Sequence, residues 1–163
     1  MPLAMLNAIC RRLRSQPLVD YARPDKLQSG CIPYALVDGQ AVFLLITSRR
    51  SGRWVFPKGS HMDGKTPWES AAQEAYEEAG VEGVVDPAPL GSYRTVKQGL
   101  RRTQLLEVTL YPLKVDAQHE TWQEMGQRHR HWAILPEVRR LLTEPEVVSL
   151  AEKLATRVER KRA

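Results

Sequence analysis

Residues 57–80, PKGSHMDGKTPWESAAQEAYEEAG, decide the reading of the chain. A loop broken by Gly59 and Gly64 and carrying Lys58 and Lys65 runs into an alanine-rich segment with Glu74, Glu77 and Glu78 close together. The punctuation predicts a helix: Thr66 caps its start with Glu69 three residues on, Pro67 fits the first position, and Gly80 fits just past the end. On that helix Ala71, Ala75 and Ala79 form a slim stripe suited to close approach to a sheet, and the three glutamates project together. Their mutual repulsion costs a few tenths of a kcal/mol per exposed pair, so something must offset it. A solvated charged face is the common explanation for such a cluster. Its position favours another, because the glycine amides and Lys58 of the preceding loop suit phosphate, and a hard cation such as Mg²⁺ prefers carboxylate and phosphate oxygens.

Outward from the helix the pattern changes to strands. CIPYALVDGQAVFLLITSR (31–49) is two apolar runs joined by Asp38-Gly39, a strong hairpin signal, and WVFPKG (54–59) is a third short strand. Downstream, PLGSYRTVKQ and QLLEVTLYPLKV pair around a basic GLRR turn. In the second of these Leu106, Val108 and Leu110 alternate with Glu107, Thr109 and Tyr111 as a half-buried strand should. A polar loop, DAQHETWQEMGQ, precedes a last strand in RHRHWAIL. Helices are then expected from Pro136 and from Pro145. The final segment places Leu150, Leu154 and Val158 at fourfold spacing, a stripe that packs on the domain or pairs with a second subunit, so monomer and homodimer both remain open.

Composition bounds the function. The chain has 163 residues, 42% of them hydrophobic, enough for one globular core. Cys10 and Cys31 make no C-x-x-C pattern, no disulfide framework and no zinc set, which suits a reducing cytoplasm. His61, His119, His129 and His131 are not spaced as zinc ligands either. No apolar run approaches the roughly 18 residues that cross a bilayer, so membrane insertion is not expected. MPLAMLNAICRRLR, at the start, reads as a short amphipathic helix in preference to an Arg-rich transit peptide. The net charge of +5 favours anionic partners, and its distribution says more than its total. Arg49, Arg50, Arg53 and Lys58 crowd one turn-like stretch and Arg101 and Arg102 sit in another, both in loops, where binding residues gather.

The stretch from Gly59 to Val81 resembles the signature of the Nudix hydrolases, G-x5-E-x7-R-E-U-x-E-E-x-G-U, where U is a bulky aliphatic residue. Gly59, Glu74, Glu77, Glu78, Gly80 and Val81 agree at the correct spacing. Lys65 stands where the signature has its first glutamate, Gln73 where it has arginine, and Ala75 where it has a bulky aliphatic residue. WVFPKG, QEAYEEAGVEG and WQEMGQRHRHW look most similar to the diphosphoinositol polyphosphate phosphohydrolase group and its bacterial relatives.

The resemblance implies an α/β fold, a Nudix-type α/β/α sandwich with a mixed β-sheet. It places a hydrolase domain at 28–143, after an N-terminal extension at 1–27 and before a C-terminal helix at 144–163. It also implies hydrolysis of a phosphoanhydride in a polyphosphorylated small molecule, such as a diphosphoinositol polyphosphate or a dinucleoside polyphosphate, with Mg²⁺ or, alternatively, Mn²⁺. Gly59, Glu74, Glu77 and Glu78 would hold the metal, and the general base would be Glu77 or, from the late loop, Glu124. Arg49, Arg50, Arg53, Lys58, Lys65, Arg101 and Arg102 would bind the phosphates, and Arg128 and Arg130 are weaker candidates beside them. Trp122 and Trp132 read as packing aromatics in preference to base-stacking ones. Two other functions stay open: an RNA 5′-pyrophosphohydrolase or decapping enzyme, and a non-catalytic sensor in which Lys65 and Gln73 mark a decayed site.

Overall fold

Asp38 and Gly39 make the turn that their dipeptide calls for. Both have positive φ, 50° and 82°, as the favoured two-residue hairpin turn requires. They join β1 (Lys26–Val37) to β2 (Gln40–Thr47), with Val37 opposite Gln40. The computed structural model describes residues 23–160, so the expected N-terminal amphipathic helix, Cys10 and the last three residues lie outside the described part.

One mixed sheet organises the chain. Its path runs β3 (Trp54–Val55), β2, β1, β7 (Thr103–Gln118), β5 (Val81–Val85), while β4 (Lys58–Ser60) pairs with β1, β6 (Gly91–Gln98) with β7 and β8 (Arg130–Ile134) with β2. β1 and β7 are parallel, Lys26 opposite Leu106 through Tyr34 opposite Lys114. The other pairings are antiparallel.

Helices cover both faces. α1 (Pro67–Ala79) lays Ala71, Ala75 and Ala79 against Cys31, Leu44, Ile46, Val81, Tyr111 and Leu113. α2 (Leu135–Leu141) and α3 (Pro145–Arg160) cover the opposite face, where Val138, Val147, Ala151, Leu154 and Val158 meet Ile32, Phe43, Leu45, Val108 and Leu110. Phe43 and Leu45 therefore face one layer and Leu44 and Ile46 the other. A strand covered on both sides reads as a continuous apolar run, which explains the uninterrupted VFLLI of β2. The architecture is the expected α/β/α sandwich. The C-terminal stripe of Leu154 and Val158 packs on this same core.

The strands differ from the sequence reading in several places, β1 among them, since it begins at Lys26 and not at Cys31. β5 has no expectation behind it, since Glu82 and Gly83 break its apolar run. Gly83 sits at a register shift against β7, where an added Cβ would lie 1.8 Å from the Lys114 carbonyl oxygen, so glycine permits the close approach. WVFPKG divides into β3 and β4 around Phe56-Pro57, because proline has no N–H for the ladder. β7 continues through Asp116 to Gln118 in pairing with β5, shortening the expected polar loop. Tyr111, expected on a half-exposed face, is buried beneath α1.

Candidate active site

The start of α1 is built from its own neighbours in sequence. The Thr66 hydroxyl accepts from the Glu69 amide at 3.3 Å and the Glu69 carboxylate accepts from the Thr66 amide at 2.7 Å, the reciprocal capping box. Upstream, the Met62 amide donates to the buried Ser70 hydroxyl at 3.0 Å, folding the 61–66 turn onto the helix. From this anchored start the helix carries its glutamates toward β4.

Glycine at 59 lets the Glu74 carboxylate lie directly against β4. An ideal Cβ there would stand 1.9 Å from Oε1 of Glu74, so the carboxylate occupies the space a side chain would take. Next to it, Glu78 is only 8% exposed. The Lys58 amide donates to its Oε2 at 3.4 Å, and Nη2 of Arg128 lies 3.0 Å from its Oε1. The same guanidinium pairs through Nε with Glu124 and donates through Nη1 to the Thr47 carbonyl at 3.0 Å. Arg128 thus holds a carboxylate from α1 and one from the 119–129 loop to the end of β2. Glu77 takes a different course: its Oε1 accepts from Nε2 of Gln73 at 2.8 Å, and it flanks the cleft without lining it.

Electrostatics set this group apart. Burial pushes the Glu78 carboxyl up to about 7, with Glu74 and Glu124 adding to the rise and Arg128 and the Lys58 amide opposing it. Glu74 is raised by burial and then by repulsion from Glu77 and Glu124. Burial lowers the Lys58 ammonium, against the pull of Glu78. The site has more buried negative charge than its own cations neutralise.

A hard divalent cation suits that imbalance, and Glu74, Glu78 and the backbone oxygen of Gly59 are the donors that would hold it. Among the described residues no three acidic, imidazole or thiol side chains stand together as a set that could hold a metal ion as they are placed; Arg128 engages Glu78 and Glu124, and Gln73 engages Glu77. The fit rests on the chemistry of the donors, carboxylate oxygens drawn out of water and repelled by one another, which a cation would offset.

These groups open on a cleft of 520 Å³. Arg49, Arg50, Arg53, Lys58, Lys97 and Arg128 line it with positive charge, and Tyr93, Leu142 and Val147 form an apolar wall. Arg49 approaches Glu124 at 3.2 Å and Arg50 donates to the Gln98 carbonyl, tying the 48–53 turn to the end of β6. Of the other expected phosphate ligands, Lys65 is exposed on the turn before α1, where its charge acts on Glu69. Arg101 and Arg102 are exposed at the β6–β7 turn, with Arg102 4.0 Å from Asp25. None of these three lines the cleft.

Gln28, Thr95, Lys97 and Glu144 do line it and were not singled out in the sequence. A signal existed for the β6 residues: Tyr93, Thr95 and Lys97 alternate along one strand and so share one face. Gln28 accepts from Lys58 Nζ at 3.3 Å across the pairing of β1 with β4. No local pattern reveals that contact.

With this geometry in view, the family can be stated. A family profile for the NUDIX domain matches residues 30–145. The chain belongs to the Nudix family. It is 33% identical over 129 residues to Nudix hydrolase 12, mitochondrial, of Arabidopsis thaliana, covering 69% of this chain and 64% of that protein. It is 29% identical over 109 residues to human diphosphoinositol polyphosphate phosphohydrolase 3-alpha, covering 66% and 63%. It therefore spans somewhat under two thirds of the length of these relatives. Among solved structures, an Ap4A hydrolase of C. elegans in a binary complex superposes with a TM-score of 0.60 at 20% identity, covering 80% of this chain and 96% of that one, which shows the shared fold. Among the described residues no helix is long and apolar enough to cross a membrane.

Proposed function

We propose that this Nudix protein hydrolyses a phosphoanhydride bond in a highly phosphorylated small molecule, using a divalent cation, Mg²⁺ or Mn²⁺. The observation that carries this reading is that Glu74, Glu78 and Glu124, carboxylates from two separate elements, line one cleft with a cationic rim and repel one another across it. Arg128 and Arg49 offset part of this negative charge, and a cation and polyphosphate together would neutralise the rest.

In this reading Glu74 and Glu78, with the Gly59 carbonyl, would hold the metal, and Glu77 would be a further ligand. The cation, when bound, neutralises charge developing on the phosphoryl oxygens and lowers the pKa of the attacking water. Glu124 stands on the loop facing Glu78 and takes the proton of that water. Lys58 and the arginines at 49, 50 and 53 orient the phosphates, which is most of what phosphoryl transfer asks of a protein. Glu124→Gln should lower kcat by about 100-fold while leaving KM within about threefold, as expected for loss of a general base.

Two substrate classes fit. The cationic rim suits an inositol ring crowded with phosphates, the class named in the human relative. The apolar wall of Tyr93, Leu142 and Val147 suits the nucleoside of a dinucleoside polyphosphate, the class named in the C. elegans structure. Phosphate release from a panel of diphosphoinositol polyphosphates, diadenosine polyphosphates, nucleoside triphosphates and 5′-triphosphorylated RNA distinguishes them. Turnover of the RNA alone would transfer the assignment to RNA processing. Tight binding without Mg²⁺ and without turnover would make the protein a sensor. We place the reaction in the cytoplasm on the cysteine usage; the plant relative named as mitochondrial makes the mitochondrion the competing compartment.

A further inference from the structure

The last turn of any helix leaves carbonyls without intrahelical donors. At the end of α1 these groups are met in succession by one segment. The Glu124 amide donates to the Glu77 carbonyl at 3.1 Å and the His119 amide to the Gly80 carbonyl at 2.8 Å. Between them, Trp122 Nε1 donates to the Glu78 carbonyl at 3.1 Å and Arg130 Nη1 to the Ala79 carbonyl at 3.0 Å. The Arg130 guanidinium lies 4.0 Å from the centroid of the Trp122 ring, a cation–π contact. An added Cβ at Gly80 would stand 2.8 Å from Trp122 Cβ, so the indole is seated directly on the helix end. Beyond the loop, the His129 amide donates to the Thr47 hydroxyl at 2.8 Å and fixes the other end to β2.

We infer that the end of α1 is a docking template for the 119–130 segment, and that Trp122 is a positioning residue that holds Glu124 in register with Glu78. The indole donates to the backbone of the same residue whose carboxylate faces Glu124 through Arg128, so this contact acts together with the Glu124 amide on the Glu77 carbonyl to set the relative placement of both acids. This assigns the Trp-x-Glu spacing a physical purpose: the ring grips the helix and the acid two positions on reaches the cleft. The inference rests on the proposed reading of Glu124 as the base.

The test uses Trp122→Phe, which keeps a ring on Gly80 and removes the indole donor, with two readouts. By hydrogen exchange, the wild-type Glu124 amide is protected, and Trp122→Phe speeds its exchange at least about tenfold while the amides of α1 stay protected. In turnover of the best panel substrate, kcat falls about tenfold with KM within about twofold, because a small misplacement of a catalytic group acts on the chemical step. The double variant Trp122→Phe/Glu124→Gln is then no slower than Glu124→Gln alone, within about twofold, since the indole acts through that carboxylate. Equal fold-losses of kcat in the wild-type and Glu124→Gln backgrounds would overturn the positioning role. An unprotected Glu124 amide in the wild type would overturn the docking itself. The exchange readout needs no substrate, so protection that Trp122→Phe releases supports the docking even in a protein that turns over none of the panel. That last result would count against the proposed activity alone.

Discussion

The two ends of α1 are closed by different means. At its start, Thr66 and Glu69 satisfy each other's amides within four residues of chain. At its end, the carbonyls of Glu77 through Gly80 depend on a segment about forty positions further on, the Trp122 indole contact spanning 44. The first arrangement makes a helix and nothing else. The second makes a helix and at the same time brings Glu124 and Arg128 to Glu78. Where the closure is local the end of the helix is structural, and where it is distant the end belongs to the site.

The sharpest test of that contrast is Gly80→Ala. It forces a side chain into φ 65° and into overlap with Trp122, and should cost about 3 kcal/mol in chemical denaturation. A loss within about 0.5 kcal/mol would mean that the loop is not seated as described. Next comes the pH dependence of Glu78. Its folded pKa, about 7, lies above the ordinary carboxylate value of 4.5, so between these limits the folded state binds more protons than the unfolded one. Stability from this group is therefore present at low pH and lost as pH rises through about 7. Without metal, Glu78→Gln should gain stability relative to wild type by about 3 kcal/mol between acid and mildly alkaline solution. A constant difference across that window would contradict the buried, repelled carboxylate.

The start of the helix should respond in stability alone. Thr66→Ala removes the cap and costs about 1 kcal/mol, with kcat unchanged in the turnover assay. A kcat that falls along with stability would erase the distinction between the two ends. The smallest effect is expected at Lys65, which is exposed and outside the cleft. Lys65→Ala should leave stability within about 0.5 kcal/mol of wild type and KM unaltered, whereas a raised KM would return this residue to the phosphate site.

The same contrast explains what the sequence disclosed. The capping box, the Asp38-Gly39 hairpin, the alanine stripe and the proline that opens α3 are local chemistry, and the structure has each where its residues call for it. Glu74 and Glu78 were legible because helical spacing is local too. Strand β5 escaped notice because Glu82 and Gly83 interrupt it, and its existence depends on pairing with β7. Arg128 read as a minor candidate, since nothing near it in sequence announces that Glu78 lies across the cleft. Gln28 and Lys97 enter the cleft through sheet register, which only the assembled β1, β4, β6 and β7 define. Lys65, Arg101 and Arg102 were attractive as charges in loops, and their loops lie away from the cleft.

In the proposed reaction, carboxylates on α1 and its docked loop serve hydrolysis of a phosphoanhydride with the aid of a divalent cation. The most direct measurement is phosphate release by the wild-type chain and by Glu78→Gln across the polyphosphate panel, with Mg²⁺ and with chelator. Turnover that requires Mg²⁺ and falls by at least about 100-fold in Glu78→Gln is the predicted result. Turnover that survives the substitution, or that proceeds equally in chelator, would contradict it.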